Sequence, residues 1–505
     1  MPITIIERAS THPSREALVD SAGSHTYNDL LEASASVATG LLDNSQDLRE
    51  ARVAFLVPAD FSYAATQWGI WRAGGIAVPM ALSHPSAELE HVLDDAEPTV
   101  VVAHPEYESR VRGPAQARGI RVALTSELSE RGVGSGEWNE LPQLDPDRRA
   151  MMLYTSGTTG KPKGVVTTHA QIEAQVKSLI EAWEWVAGDR ILLVLPLHHV
   201  HGIVNVLTCA LWSGACCDML PRFEARETWR ALKDRQLTLF MAVPTIYRRL
   251  IAAWEEASTE EQASWSAACG KLRLMVSGSA ALPVGVLQRW REVSGHVLLE
   301  RYGMTEIGMG LSNPLHGERV AGSVGIPLPS VAVRLVDEAM ADVPPGSPGE
   351  ILISGPSVFL EYWRRSEETA AAFHDEWFKT GDVAVIEQGR YRIMGRRSVD
   401  IIKSGGYKVS ALEIEEILRT HPAIRECAVV GVPDSEWGER VCVAAEVVDA
   451  ADLTLQPLRQ WARDLLAPYK IPKELRVVDA LPRNAMGKVT KPRVVQLFVD
   501  GSETS

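Results

Sequence analysis

The chain has 505 residues, too many for one hydrophobic core, and this length predicts two or three domains. Its 51 basic and 65 acidic side chains leave a net charge of −14, which argues against nonspecific binding to nucleic acid or to an anionic membrane. Hydrophobic residues at 46% and charged residues at 23% are the proportions of an ordinary globular protein.

The cysteines and the N-terminal segment predict a compartment. The six cysteines lie mostly in apolar runs without the spacing of a metal site, which predicts buried free thiols in a reducing environment. The first residues match neither a signal peptide nor an Arg-rich transit peptide, and the longest apolar run, near residues 191–197, is too short to span a bilayer. We therefore expect a cytoplasmic monomer or small homo-oligomer with no nucleic-acid or membrane partner.

From Thr26 onward, short apolar runs alternate with stretches of helical length. This rhythm predicts an α/β fold in which helices cover mostly parallel sheets. The predicted strands of this part are residues 53–57, 76–79, 100–103, 191–195, 237–243 and 272–277.

A domain boundary is predicted near residue 398. A turn at residues 404–406 follows it, and Ser410 and Glu413 then have the spacing of a helix capping box. Two apolar strands follow that helix. We expect a large N-terminal domain, residues 1–398, and a small α+β C-terminal domain, residues 399–505.

Residues 155–164 read Thr-Ser-Gly-Thr-Thr-Gly-Lys-Pro-Lys-Gly between two predicted strands. Such a segment leaves backbone N–H groups and hydroxyls free to face an anion, while its lysines supply charge. It is not a Walker A loop, because Pro162 follows Lys161 where that loop requires Ser or Thr. A flexible linker would not be flanked by buried strands, so we predict a phosphate-binding loop at the tip of a hairpin. The residues predicted to bind phosphate are Thr155, Ser156, Gly157, Thr158, Thr159, Gly160, Lys161 and Lys163.

This loop resembles the phosphate-binding signature of the adenylate-forming superfamily, which includes acyl-CoA synthetases, luciferases and peptide-synthetase adenylation domains. The resemblance implies a mobile C-terminal domain, and it implies ATP, Mg²⁺ and coenzyme A as cofactors and substrates. Further segments match the superfamily in the same order and extend the resemblance over nearly the whole chain; they are residues 196–202, 276–281, 300–306, 379–382, 395–408 and 482–488.

The resemblance implies a role for each matching position. The implied adenosine-binding residues are Ser277, Gly278, Ser279, Ala280, Tyr302, Gly303, Asp382 and Arg396, with Arg397 as a rival to Arg396. The implied catalytic residues are Lys488, Thr305, Glu306 and His199. The implied Mg²⁺ ligands are Glu306 and Thr155. The implied hinge and thiol-transfer loop residues are Val399, Asp400, Lys403, Gly405, Gly406 and Lys408.

The histidines of residues 198–201 do not predict a metal site. No cysteine or carboxylate lies nearby in the sequence, and metal sites combine such ligands. We expect His199 and His201 on an extended segment, and the resemblance implies that they border the acyl pocket.

Arg301 is the most informative residue for substrate choice. The resemblance places Arg301 in the acyl pocket, where many relatives with apolar substrates have glycine, together with Arg249, His201 and Met304. Paired arginines recognise a carboxylate bidentately, so a substrate with a distal carboxylate is expected. With these residues the chain resembles malonyl-CoA synthetases, and malonate or methylmalonate is the predicted substrate. The alternative is that Arg301 pairs with a neighbouring glutamate at the surface.

Other functions stay open at this point. The chain could be a short- or medium-chain acyl-CoA synthetase of other specificity, or an adenylation enzyme that loads a carrier protein. A catalytically silent nucleotide-binding protein is disfavoured, because Lys163, Glu306, Asp382 and Lys488 are all present.

Overall fold

A computed structural model of the chain describes residues 3–130, 141–155, 162–404, 407–434, 436–448, 453–483 and 489–499. The chain divides into two compact units, Met1–Ala332 with Ile353–Phe378, and Val333–Leu352 with Lys379–Ser505. The second unit thus includes residues before the predicted domain boundary at residue 398. That boundary, at which the mobile C-terminal domain would begin, stays a prediction. Within the described residues, no helix is long and apolar enough to cross a bilayer.

The first unit contains a nine-stranded sheet with parallel interior strands. Its antiparallel edge hairpin, Leu299–Met304 with Gly308–Ser312, carries four of the predicted adenosine and acyl residues, Arg301, Tyr302, Gly303 and Met304. In spatial order the strands are Ile326–Pro327, Gly308–Ser312, Leu299–Met304, Leu274–Ser277, Leu239–Ala242, Arg190–Leu193, Cys216–Met219, Glu16–Val19 and Ser24–Thr26.

A seven-stranded sheet in the same unit is parallel except at one edge, where the hairpin of the phosphate-binding segment lies. In spatial order its strands are Glu361–Tyr362, Lys163–Thr168, Arg149–Thr155, Ile76–Pro79, Arg52–Leu56, Val100–Ala103 and Arg121–Leu124. All six strands predicted from the βαβ rhythm are present in these two sheets, with ends that differ by at most two residues. The predicted parallel sheets are therefore confirmed.

Helices cover both sheets and share one apolar core with them, which includes the fully buried Trp68, Trp183 and Trp229. The α-helices of this unit are Thr4–Ser10, Tyr27–Leu42, Phe61–Arg72, Ser86–Ala96, Glu108–Ala117, Thr125–Glu130, His169–Trp183, Cys209–Ser213, Ala225–Asp234, Pro244–Glu255, Thr259–Cys269, Val284–Ser294 and Ser366–Ala371. A 3₁₀ helix, Pro105–Tyr107, and a π-helix, His201–Thr208, complete the list. The six cysteines are free and buried, as predicted.

The second unit is a smaller α+β body with its own buried core. One sheet contains Tyr407–Ser410, Ile401–Ser404, Gly438–Val447, Ile424–Asp434 and Glu474–Val477. Further strands that lie wholly or mostly in this unit are Ala332–Val336, Gly349–Ser354, Trp377–Glu387 and Arg390–Arg396. The two-residue strand Phe373–His374 belongs to the first unit. The helices of the second unit are Ala411–Leu418, Leu455–Ala462, Pro468–Lys470 and Lys491–Val499.

The predicted capping box at Ser410 is only half formed. Ser410 Oγ accepts a hydrogen bond from the Glu413 N–H at 3.2 Å, so the serine caps the helix Ala411–Leu418. The carboxylate of Glu413 instead accepts a hydrogen bond from Lys470 at 2.5 Å. A tertiary ion pair has replaced the reciprocal bond that the sequence spacing predicts.

Candidate active site

The phosphate-binding segment begins and ends on a β-hairpin, as predicted. Thr155 is the last residue of its strand and pairs with Lys163, the first residue of the next strand. The Pro162 carbonyl oxygen accepts a hydrogen bond from His91 Nε2 at 2.9 Å, so that ring nitrogen carries the proton. The hairpin thus positions both ends of the loop, while residues 156–161 of the prediction lie outside the described part of the chain.

Tyr362 joins Lys163 to Glu306, two residues predicted to act on the phosphates and on Mg²⁺. The Lys163 ammonium forms an ion pair with Glu368 and lies 5.3 Å over the centre of the Tyr362 ring. The Tyr362 hydroxyl donates a hydrogen bond to Glu306 Oε1 at 3.0 Å. Glu306 is buried, and its backbone oxygen accepts a hydrogen bond from the Phe359 N–H at 2.7 Å. Tyr362 therefore contacts Lys163 through its ring and Glu306 through its hydroxyl.

Thr305 and Glu306 lie in the turn of residues 305–307, between the two strands of the edge hairpin. Tyr302 and Met304, on the first strand, are partly exposed. Gly303 lies so close to Gly308 that a Cβ atom there would be 2.1 Å from the Gly308 oxygen. The tight pairing of this hairpin therefore requires glycine at position 303.

Arg301 lies on the same strand and is 3% exposed. Its guanidinium lies against Gly278, where a Cβ atom would be 2.4 Å from Arg301 Cζ. Nε and Nη2 of Arg301 have no hydrogen-bond partner among the described residues, and the burial of this side chain argues against the predicted alternative of an ion pair at the surface. Because burial penalises the charged form, the pKa of Arg301 is lowered to about 9. A buried guanidinium with two open donors is complementary to a carboxylate.

His201 is buried beside this arginine. Burial lowers the pKa of His201 well below its usual range, and the charge of Arg301 lowers it further, so the imidazole is neutral. His201 Nδ1 lies 3.2 Å from Ser279 Oγ, and Ser279 has a left-handed φ of +67°. The predicted adenosine residues Gly278 and Ser279 thus contact the predicted acyl residues Arg301 and His201. Ala280 follows at the surface.

The prediction that His199 and His201 lie on an extended segment is wrong. His201 begins the π-helix His201–Thr208, and helices of this rare type frequently lie at functional sites. The ring of His199 lies 4.1 Å from that of His198, and burial lowers the pKa of His198 to about 2, helped by the neighbouring histidines. No group of three or more His, Cys, Asp or Glu within the described residues has the geometry of a metal site.

Arg249, the second arginine predicted for the acyl pocket, lies on the helix Pro244–Glu255. It is exposed, and its guanidinium lies 4.7 Å over the centre of the Phe223 ring. The described contact of Arg249 is therefore with an aromatic ring rather than with the buried Arg301. A shared acyl pocket for the two arginines stays a prediction.

The two rival arginines, Arg396 and Arg397, have different partners in the second unit. Asp382 and Arg396 are directly opposite on paired strands, and Arg396 Nε lies 3.4 Å from Asp382 Oδ1. Arg397 instead donates a hydrogen bond to Glu350 Oε2 at 2.7 Å. This pairing favours Arg396 as the residue that acts with Asp382.

Lys491 ties the predicted hinge to a helix of the second unit. Val399 and Asp400 lie in a turn, and Asp400 Oδ2 accepts a hydrogen bond from the Arg396 N–H at 2.9 Å. Lys491 Nζ lies 2.5 Å from Asp400 Oδ1 and 2.8 Å from Glu415 Oε1. Burial alone would lower the pKa of Lys491, but the two carboxylates raise it and keep the lysine charged.

The remaining predicted loop residues are only partly described. Lys403 is exposed, with Nζ 3.9 Å from Glu338. Gly405, Gly406, the side chain of Lys408 and the predicted catalytic Lys488 lie outside the described residues.

Sequence reasoning missed Tyr362 and Lys491. Tyr362 lies outside every segment that matched the superfamily, and only the pairing of its short strand with Lys163–Thr168 brings it to the site. Lys491 follows the last matching segment by three residues and resembles any solvated lysine in the sequence. No local pattern marks either residue.

Residues 5–363 of the chain match the AMP-binding enzyme family, and residues 413–488 match the AMP-binding enzyme C-terminal domain. The chain belongs to the AMP-binding enzyme family. The predicted superfamily and the predicted fold class, a large α/β domain with a smaller C-terminal domain, are thereby confirmed.

This AMP-binding enzyme is similar to malonate–CoA ligases over its whole length. It is 45% identical to the mitochondrial malonate–CoA ligase ACSF3 of Mus musculus, with 99% of this chain and 92% of that protein aligned. It is 42% identical to the malonate–CoA ligase of Arabidopsis thaliana, over 88% of this chain and 77% of that protein. The ATP-bound crystal structure of MatB from Rhodopseudomonas palustris has a TM-score of 0.89 at 31% identity, over 99% of each chain.

The predicted cytoplasmic location is wrong by the same comparison. The similar enzymes of Mus musculus and Homo sapiens are both named as mitochondrial. The prediction rested on the first residues of the sequence and on cysteines typical of a reducing environment.

Proposed function

We propose that this AMP-binding enzyme is an ATP-dependent malonate–CoA ligase, which forms malonyl-CoA, AMP and pyrophosphate. The buried guanidinium of Arg301, with two open donors against Gly278, is the observation that carries the substrate assignment. Malonate keeps one carboxylate for this guanidinium after the other has entered the reaction. Similarity to malonate–CoA ligases supports the same substrate.

Charge distinguishes malonate from an apolar acid at this position. A hydrogen bond between charged groups contributes about 1.5–3 kcal/mol, and a buried donor left without a partner costs about 1–3 kcal/mol. An alkyl chain beside Arg301 would leave the guanidinium buried and unsatisfied. A short- or medium-chain acyl-CoA synthetase is therefore the weaker proposal.

Adenylation is the first half of the proposed reaction. One malonate carboxylate oxygen attacks the α-phosphorus of ATP, the bond to pyrophosphate breaks, and an acyl adenylate forms. Because two anions must approach each other, Lys163 and Lys488 are proposed to supply positive charge around the phosphates. Mg²⁺, when bound, would neutralise further phosphate charge. Glu306 and Thr155 would hold it, and a buried carboxylate oriented by Tyr362 fits an ion that binds one or two carboxylates together with substrate phosphates.

Thiol transfer is the second half. The CoA sulfur attacks the acyl carbonyl, the bond to AMP breaks, and the thiol proton leaves to solvent. A free thiol titrates near 8.5, so only a minority is ionised at neutral pH. We include in the proposal a hinge at Val399 and Asp400, which exchanges Lys488 for the loop of residues 404–408 between the two half-reactions.

Methylmalonate differs from malonate by one methyl group, which a pocket discriminates by only about 1–3 kcal/mol. In an adenylation enzyme that loads a carrier protein, the thiol of that protein would replace CoA. Neither alternative has an observation in the described residues that favours it.

Pyrophosphate release with a panel of acids, with and without CoA, tests the proposal. Malonate, methylmalonate, butyrate and acetate form the panel, and AMP and thioester are measured alongside. We expect malonate-dependent AMP formation, and malonyl-CoA only when CoA is present. Absence of malonate-dependent AMP would overturn the substrate, and absence of activity with every acid would overturn the ligase assignment.

A further inference from the structure

The side chain of Gln175, on the helix His169–Trp183, contacts the hairpin that carries Thr305 and Glu306. Gln175 is 4% exposed, and its Oε1 accepts a hydrogen bond from the Met309 N–H at 3.0 Å. A backbone N–H can only donate, so this bond also fixes which amide atom is oxygen. Gly308 has a φ of +64°, and a Cβ atom there would be 1.2 Å from Gln175 Oε1. The hairpin thus has glycine where the glutamine amide approaches its backbone.

The turn of residues 305–307 is also held from its other side. Ser357 Oγ donates a hydrogen bond to the Ile307 carbonyl oxygen at 3.1 Å. The Phe359 N–H donates to the Glu306 carbonyl oxygen, as described above. The turn therefore lies between the helix that carries Gln175 and the segment that carries Ser357 and Phe359. The position of Glu306 depends on Gln175 as well as on Tyr362.

Gln175 also lines a small cavity whose walls are mostly apolar. Nε2 of Gln175 and Oγ1 of Thr167 are buried and have no hydrogen-bond partner among the described residues. Both residues line a cavity of about 20 Å³, together with Thr305 and Ser357. A cavity holds a water molecule when its volume exceeds about 10–15 Å³ and when it offers two to four polar partners. The volume of this cavity exceeds that limit, and Gln175 Nε2 and Thr167 Oγ1 supply two polar partners.

We propose that Gln175 and Thr167 bind one buried water molecule beneath Thr305, and that Gln175 is a positioning residue for the turn of residues 305–307. Thr167 lies on the strand that begins at Lys163, so the water connects the strand of the phosphate-binding hairpin to the turn that carries Glu306. The role rests on the proposed function, in which these two elements grip the ATP phosphates.

The energetic reason is the cost of two buried polar groups. Each would lose its hydrogen bonds to solvent without a replacement if no partner reached it. One water can accept from Gln175 Nε2 and donate to Thr167 Oγ1, which satisfies both groups. Residues that orient a metal ligand from behind typically change metal affinity by about 10- to 100-fold when they are lost.

The test uses variants that remove one partner at a time. Thr167→Val keeps the side-chain volume and removes only the hydroxyl, whereas Gln175→Leu removes the water partner and the Met309 bond. Gln175→Glu keeps an acceptor for the Met309 N–H. Ser178→Ala is the matched control, because Ser178 lies on the same helix and donates to the Pro329 oxygen at 2.8 Å instead.

Two measurements are made without malonate or CoA. A crystal structure should show a water within about 2.7–3.2 Å of both Gln175 Nε2 and Thr167 Oγ1. Titration with Mg·ATP should give an affinity about 10-fold weaker than wild type for Gln175→Leu and at least about 3-fold weaker for Thr167→Val. The affinity of Gln175→Glu should lie between those of Gln175→Leu and wild type. Ser178→Ala should bind as wild type does.

No water at this position, or wild-type Mg·ATP affinity in Thr167→Val, overturns the proposal. If Gln175→Leu does not fold, Thr167→Val and Gln175→Glu decide it alone. The proposed function fails separately, when wild-type protein binds Mg·ATP but forms no AMP from malonate.

Discussion

The guanidinium of Arg301 is held against the backbone where Gly278 has no side chain. Without that space the guanidinium could not lie beside His201 and Ser279. Since Arg301 has no described hydrogen-bond partner at Nε or Nη2, its position depends on shape more than on ion pairing. Two substitutions separate these contributions.

Gly278→Ala should displace the guanidinium, because the new Cβ would be 2.4 Å from Arg301 Cζ. We expect kcat/KM for malonate to fall by about 10- to 100-fold, with a smaller change in KM for ATP. Gly285→Ala is the control, since a Cβ at Gly285 meets no atom within 4 Å. Steady-state kinetics of both variants measure the effect, and equal losses for ATP and malonate would contradict it.

Arg301→Met should leave the protein without substrates at least as stable as wild type. A buried charge without a partner is costly, and an apolar side chain of similar length removes that cost. Arg273→Met should behave in the opposite way, because Arg273 donates to both carboxylate oxygens of the buried Asp189 at 2.8 and 2.6 Å. Urea unfolding measures the free energy of unfolding of both variants. A decrease of more than about 2 kcal/mol in Arg301→Met would contradict the expectation, because it would show that Arg301 has a structural partner.

At this scale the sequence singled out Arg301 as the residue for substrate choice, and this role stays a prediction. The resemblance implied that Gly278 binds adenosine, and the sequence did not predict that the guanidinium of Arg301 lies against it. Tyr362 could not be predicted, because its contacts with Lys163 and Glu306 join residues far apart in the chain. Tertiary contacts of this kind leave no periodic signal in the sequence.

Among the elements, Lys491 of the helix Lys491–Val499 links Asp400 to the helix Ala411–Leu418. The lysine side chain is 12% exposed, so its two ion pairs are little screened by solvent. The predicted hinge carboxylate is therefore anchored inside its own unit.

Lys491→Met should destabilise the second unit by about 3–5 kcal/mol, because the mostly buried carboxylates of Asp400 and Glu415 both lose this cation and only Glu415 keeps another, Arg419 at 3.2 Å. Adding Glu415→Gln should recover part of that loss, since it removes one of the two charges. Lys271→Met, at an exposed position, is the control. Hydrogen exchange within residues 399–499 measures the effect, and unchanged protection in Lys491→Met would contradict it.

Strands were predictable because buried runs between turns are short and apolar, and the six predicted strands of the first unit differ from the observed ones only at their ends. The π-helix His201–Thr208 was not predictable, since its apolar run has no period that separates strand from helix. The half-formed capping box at Ser410 failed for another reason: Lys470 attracts the Glu413 carboxylate from outside the local sequence.

For the whole molecule, buried histidines predict acid sensitivity. Burial lowers the pKa of His169 to about 4, helped by the charge of Arg148, and the pKa of His198 is lowered to about 2. The unfolded chain takes up these protons below about 6.5, while the folded chain does not. The free energy of unfolding should therefore fall as the pH drops from about 6.5 towards 4, by about 1.4 kcal/mol per pH unit for each histidine.

Urea unfolding at pH 7, 6 and 5 measures this slope. His169→Gln should reduce this slope by about 1.4 kcal/mol per pH unit, which is the contribution of one histidine. His374→Gln, at an exposed position, should leave the slope unchanged. Equal stability at all three pH values, or an unchanged slope in His169→Gln, would contradict the assignment.

Composition and the order of motifs predicted the architecture and the family of the whole chain, because both are spread over hundreds of residues. The compartment was predicted wrongly, since neither the first residues nor the buried cysteines identify one reducing compartment among several. The domain boundary at residue 398 marks a predicted motion, whereas the two units reflect packing within one state.

The most direct test compares kcat/KM for malonate with kcat/KM for butyrate in wild type and in Arg301→Gly. If Arg301 selects a second carboxylate, the wild-type ratio strongly favours malonate, and Arg301→Gly lowers that ratio by about 10²-fold or more at unchanged KM for ATP. A ratio that stays within about threefold of wild type would contradict the central claim.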